Sequence, residues 1–127
     1  MTAVRISAAS PEADLRAALR PGVSTVFYSR AESAAQLRAA DGLIAELERL
    51  RGIRPGTVRL QPLIETPHGI SRVHEIAAAS KRCVALGLGP HVHTQLGGDS
   101  LAYARGECEL TAHALELAPM HIDSVRD

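Results

Sequence analysis

Short apolar runs alternate with amphipathic stretches along the chain. Val4 to Ser7 reads as a first strand, and Ser10-Pro11 then supplies an N-cap with proline at the first helical position, predicting a helix to about Leu19 that Pro21-Gly22 ends. Thr25 to Tyr28 reads as a second strand. After Glu32-Ser33, the residues Leu37, Ala40, Ile44 and Leu47 recur at spacings of three and four, the buried stripe of a helix. Arg38, Glu46, Glu48 and Arg49 read as its solvated face. Gly52 to Gly56 is a loop and Val58 to Ile64 a third strand; Ser71 opens a helix that turns Val73, Ile76 and Ala77 inward. Lys81-Arg82, read as a solvated pair, precedes a fourth strand at Cys83 to Leu88. Gly97-Gly98-Asp99-Ser100 leads into a long helix carrying Leu101, Ala104, Cys108, Thr111 and Leu115, and Met120 to Val125 is a closing fifth strand.

This alternation predicts an α/β fold of about five parallel strands joined by right-handed crossovers, with helices covering both faces of the sheet. The 127 residues carry no internal repeat, low-complexity segment or linker, so residues 1–127 form one domain.

Composition narrows the function classes. Fourteen basic residues balance fourteen acidic ones, leaving no global field to gather nucleic acid or a membrane surface. Aromatic residues are only 2%, too few for a base-stacking platform. Cys83 and Cys108 lack CxxC spacing, and neither a secretory pattern nor a spanning apolar run is visible; reduced, buried thiols in a cytoplasmic protein are expected.

In a parallel sheet the C-terminal strand tips line the ligand site. The tips here are Arg5 with Ser7, Ser29 with Arg30, Glu65 with Thr66, His91 with His93, and Asp123. They offer carboxylate, guanidinium and imidazole groups, enough for a divalent metal and an anionic substrate. Glu65 stands at the end of an apolar strand, just before Pro67 and Gly69, where it serves either as a metal ligand or as a cap for the next helix. His91 and His93 share one face if the chain is extended there, a pair suited to a transition metal; as lone loop histidines they are simply solvated. His68, His74, His113 and His121 read as turn or helix-surface residues, and the glycines at 87, 89, 97 and 98 match neither dinucleotide nor Walker patterns.

From Val4 to Val125 the chain resembles the HpcH/HpaI aldolase and citrate lyase beta-subunit-like family. Val4-Arg5-Ile6-Ser7 is similar to its Arg-Val-Asn strand, and Val26 to Ser33 to its Val-Leu-Pro-Lys-Val-Glu-Ser segment, with Ser29 and Arg30 in place of Pro and Lys. Leu63-Ile64-Glu65-Thr66-Pro67-His68-Gly69 resembles its Ile-Glu-Thr-Ala-Arg-Gly motif, followed by Glu75 to Ser80 for Glu-Ile-Ala-Ala-Ala. Tyr103-Ala104-Arg105 and Ile122-Asp123-Ser124-Val125 resemble its later helix and strand.

The resemblance implies part of a (β/α)8 barrel and a carbon-carbon lyase acting on a 2-oxo acid or a 3-hydroxyacyl-CoA thioester. It also implies Mg²⁺ held by Glu65, a substrate carboxylate anchored by Arg5, and Arg30 beside that substrate. Where the family has Gly-x-Glu-Asp-Leu, this chain has Gly89-Pro90-His91-Val92-His93, without the second metal carboxylate; His91, His93 or Asp99 are the candidates to replace it. A complete barrel takes about 250 residues. The alternative is therefore a catalytically inactive partial barrel that oligomerises or binds a ligand, and in either case exposed sheet edges predict a homo-oligomer.

Overall fold

The computed structural model describes residues 2–120. In chain order it contains β1 (Thr2–Ser7), α1 (Pro11–Ala18), β2 (Val23–Ser29), α2 (Ala34–Leu50), β3 (Arg59–Ile64), α3 (Pro67–Ser71), α4 (Val73–Ala77) and β4 (Ala85–Leu88). A single 3-10 turn (Val92–Thr94), α5 (Gly98–Ala114) and β5 (Ala118–Pro119) follow. All five strands are parallel, in the order β1-β2-β3-β4-β5. Among the described residues, no helix is long and apolar enough to cross a membrane.

The strand order corrects the expectation that both faces are covered. A parallel sheet that never reverses its order, connected by right-handed crossovers, carries every helix on one face. The register makes the two faces explicit. Val4, Val26 and Leu60 stand side by side on the helix face and pack into the core, whereas Arg5, Phe27 and Gln61 form the matching row on the other face. This is the singly wound arrangement of a barrel wall, in agreement with the fold class read from the sequence.

Local chemistry sets the element boundaries. A capping box that was not read from the sequence opens α2: Gln36 N donates to Ser33 Oγ at 3.2 Å, and Ser33 N to Gln36 Oε1 at 3.0 Å. The third helical stretch begins four residues before Ser71, because Thr66 Oγ1 accepts from Gly69 N at 3.1 Å and Pro67 occupies the first turn. It breaks at Arg72, whose φ of −122° is not helical. The fourth strand starts at Ala85 rather than Cys83, since Cys83 N closes a turn onto Ser80 O at 3.2 Å. The fifth starts earlier than expected, at Ala118, which pairs with Ala85; beyond Met120 the expected strand lies outside the described residues.

Two charges assigned to solvent are buried instead. Arg82 is 8% exposed and Glu48 only 1%. Arg82 Nε donates to Asp41 Oδ1 at 2.7 Å and Nη1 to the Val58 carbonyl at 3.0 Å, while Glu48 also accepts from the amides of Gly56 and Val58. Burial alone would raise the Glu48 pKa; the hydrogen bonds from Arg82 and from these two amides outweigh it and hold the carboxyl below its ordinary range. The network fastens the last turns of α2 to the starts of β3 and β4.

Candidate functional site

Five of the sequence-predicted residues meet at the C-terminal tips of β1 to β4. Arg5, Ser7, Ser29, Arg30 and His91 line one open cleft of about 820 Å³, together with Asp14 and Thr94. Register explains the meeting: Arg5 lies beside Phe27 and Ser7 beside Ser29, so adjacent strands end at the same level. Arg5 Nη2 is 3.2 Å from His91 Nε2. Because a guanidinium only donates, His91 Nε2 is the acceptor in this contact. On the opposite wall, Asp14 accepts from Ser7 N at 2.8 Å.

Glu65 lies beneath this cleft, 1% exposed. Its Oε1 accepts from Ser29 Oγ at 3.3 Å and from Arg30 N at 3.0 Å, and its Oε2 accepts from His91 N at 2.9 Å. One carboxylate thus binds the end of β2 and the loop after β4. To present its amide, Arg30 takes the left-handed conformation, φ +57°, a departure that costs an L-residue roughly 1–2 kcal/mol. Its guanidinium is exposed, and no hydrogen bond or ion pair to it occurs among the described residues.

Two glycines make this possible, and the sequence reading gave neither of them a part in the site. A Cβ on Gly89 would lie 2.5 Å from Glu65 Cδ and 2.9 Å from Oε2, so the carboxylate occupies the space that a side chain would need. A Cβ on Gly69 would lie 2.6 Å from the Ala31 carbonyl oxygen. The available signal was position, Gly89 directly after β4 and Gly69 in the first turn of α3 after the β3 tip, where backbone makes close approach. Ala31 N donates to Leu63 O at 3.2 Å and Gly89 N to Ile64 O at 3.0 Å, holding the β3 tip between its neighbours. Thr66 Oγ1 donates to Glu32 Oε2 at 2.7 Å and closes the same corner.

The remaining candidates scatter. His91 precedes the 3-10 turn rather than an extended segment, and three residues per turn point His91 and His93 in different directions. Val92, between them, is fully buried in the core. Asp99 starts α5 and lines a separate cleft of about 510 Å³ with Pro67, Ile70, Leu96 and Tyr103. Asp123 lies outside the described residues. Among the described residues, no three His, Cys, Asp or Glu side chains gather as a metal-binding group.

Among the described residues, the donor set around Glu65 does not fit Mg²⁺. The cation wants near-octahedral oxygen ligation at short range. The groups converging on Glu65 are two amide N–H donors and a hydroxyl already donating to it.

Comparison with known proteins agrees with this fold. The family model described as HpcH/HpaI aldolase/citrate lyase matches residues 1–116. The citrate lyase subunit beta of Haemophilus influenzae is 35% identical over 91 residues, covering 69% of this chain and 31% of the relative. The L-malyl-CoA/beta-methylmalyl-CoA lyase of Cereibacter sphaeroides is 45% identical over 64 residues, 50% of this chain and 20% of the relative. Among solved structures, the protein CitE from Mycobacterium tuberculosis, in complex with magnesium and acetate, superposes with a TM-score of 0.68 at 25% identity, covering 97% of this chain and 52% of that one. The citrate lyase beta subunit of M. tuberculosis complexed with oxaloacetate and magnesium gives 0.60 at 26% identity, over 97% and 56%. The chain therefore spans about a third or less of these curated relatives and about half of these solved ones.

Proposed function

The chain belongs to the HpcH/HpaI aldolase/citrate lyase family, and from that premise we propose that it is the carboxylate-recognising part of a carbon-carbon lyase. The ligand is a small 2-oxo acid or the acyl end of a 3-hydroxyacyl-CoA thioester, held in the cleft lined by Arg5, Arg30 and His91. The observation that carries this reading is the convergence of two arginines and two serines on one open cleft at the strand tips. Relatives crystallised with acetate and with oxaloacetate support the ligand class, and a malyl-CoA lyase among the relatives supports the thioester.

The chemistry follows from charge. Guanidinium groups bind carboxylates through paired, charge-assisted hydrogen bonds. Breaking a carbon-carbon bond beside a carbonyl leaves an electron pair that spreads onto oxygen as an enolate, and a fixed cation near that oxygen lowers the barrier. Arg5 is the anchor in this reading, with Arg30 as the second cation and Ser7 and Ser29 as hydroxyl neighbours.

Calorimetric titration with oxaloacetate tests it. Wild-type protein is expected to bind, Arg5→Gln and Arg30→Gln to bind at least about tenfold more weakly, as loss of a charge-assisted pair implies. Unchanged affinity in both variants removes the cleft from consideration.

The absence of a carboxylate from Gly89-Pro90-His91-Val92-His93, where the resembled family has Gly-x-Glu-Asp-Leu, favours a second reading, a catalytically silent module that retains ligand binding. Cleavage of a 3-hydroxyacyl-CoA by the purified chain separates the two. In both readings copies of the chain associate, because β1 and β5 are sheet edges among the described residues and Leu50, Val84, Tyr103 and Leu110 are exposed. Light scattering on the purified protein checks this; a monomer at high concentration would refute it.

A further inference from the structure

We propose that Glu65 is a positioning residue in this chain, and that anion binding in the cleft needs no divalent cation. The inference rests on the carboxylate-site reading above and goes beyond it by assigning what organises the site.

The Glu65 carboxylate joins the two walls of the cleft. Through Oε1 it holds Ser29 and the strained backbone of Arg30, and through Oε2 it holds the His91 amide, whose imidazole lies 3.2 Å from Arg5. A buried carboxylate without such partners would be strongly disfavoured, so these donors account for its presence in a site that is 1% exposed. Among the described residues no group of three His, Cys, Asp or Glu side chains gathers here to complete a metal site, and three of the roughly four acceptor positions of the Glu65 carboxylate already serve Ser29, Arg30 and His91. Gly89 fits the same assignment, since its missing Cβ is the space the carboxylate fills. The organising task falls to hydrogen bonds from one glutamate.

The test is calorimetric titration of the wild-type chain with oxaloacetate in excess EDTA and again in millimolar Mg²⁺, repeated with Glu65→Gln and Glu65→Ala, each checked by circular dichroism for folding. The expected result is the same wild-type Kd in both buffers, within about twofold. Glu65→Gln keeps an oxygen for Ser29 and Arg30 but opposes an amide group to the His91 N–H. It is therefore expected to fall between wild type and Glu65→Ala, the latter losing at least about tenfold. Wild-type binding seen only with Mg²⁺ overturns the inference and leaves the carboxylate-site reading standing. No binding in either buffer removes both. Folded Glu65→Ala that binds as well as wild type also overturns the inference, whatever the buffer.

Discussion

Arg82 meets Glu48 fork to fork, Nη1 2.9 Å from Oε2 and Nη2 2.8 Å from Oε1, inside the protein rather than on its surface. Removing one partner strands the other's charge, a change that costs roughly 3–5 kcal/mol at buried pairs. Arg82→Ala and Glu48→Ala are each expected to lose stability on that scale in urea unfolding. The double variant is expected to lose less than the sum; additive losses would mean that the pair is not coupled.

The same pair sets the acid limb of stability. Because the folded-state pKa of Glu48 lies below its ordinary value of 4.5, its contribution is present above that value and is lost as pH falls through the folded-state pKa. Melting temperature should change little with pH from neutrality down to about 5 and fall below that, and Glu48→Gln should flatten the fall. An identical acid profile in the variant would contradict the assignment.

Gly89→Ala places a methyl group where the Glu65 carboxylate lies. Overpacking of this kind costs about 1–3 kcal/mol. The variant is expected to melt lower and, because the carboxylate must move, to bind oxaloacetate more weakly; reduced stability with unchanged affinity would separate the glycine from the site.

Arg30→Gly relieves a left-handed residue while removing a cation. Steric relief of roughly 1–2 kcal/mol against a backbone entropy cost of roughly 0.5–1 kcal/mol predicts stability equal to wild type or up to about 1.5 kcal/mol higher. Affinity for the anion should nonetheless fall. Opposite signs in thermal melting and titration are the expected pattern, and a large loss of stability would count against it.

Burial raises the Cys83 thiol to about 11 and the Cys108 thiol to about 12. Since the thiolate is the reactive form, neither should react with a maleimide or an aromatic disulfide at pH 8 in the native protein, and both should react in denaturant. Rapid native labelling of either would show that its side chain is accessible.

Much of the fold was legible because periodicity reports burial directly. Leu37, Ala40, Ile44 and Leu47 are all buried in α2, and the capping box at Ser33 and Gln36 stands where the chain enters that helix. Glu48 escaped because its charge was weighed above its position. It follows Ile44 by four residues and Asp41 by seven, which places it on the stripe that faces Arg82. Strand order was not legible from alternation alone, which says that the chain crosses over but not that each new strand joins the same edge; the resemblance to a (β/α)8 family is what implied it.

In the candidate site, the tips grouped Arg5, Arg30 and His91 because each ends a strand or follows one. What the tips could not convey was the part played by main chain. The amides of Arg30 and His91 and the empty Cβ positions of Gly69 and Gly89 are set by backbone approach, which side-chain chemistry does not encode.

A sheet that grows one strand at a time along a single edge keeps its wiring local. Each strand finds its partner one crossover away, so loop closure stays inexpensive in entropy and pairing can proceed from unit to unit during folding. The cleft draws its walls from β1, β2 and the loop after β4, with its floor from β3, all contiguous in that series. Such a cleft is portable: any longer or shorter assembly that retains this run of units keeps its walls and floor together.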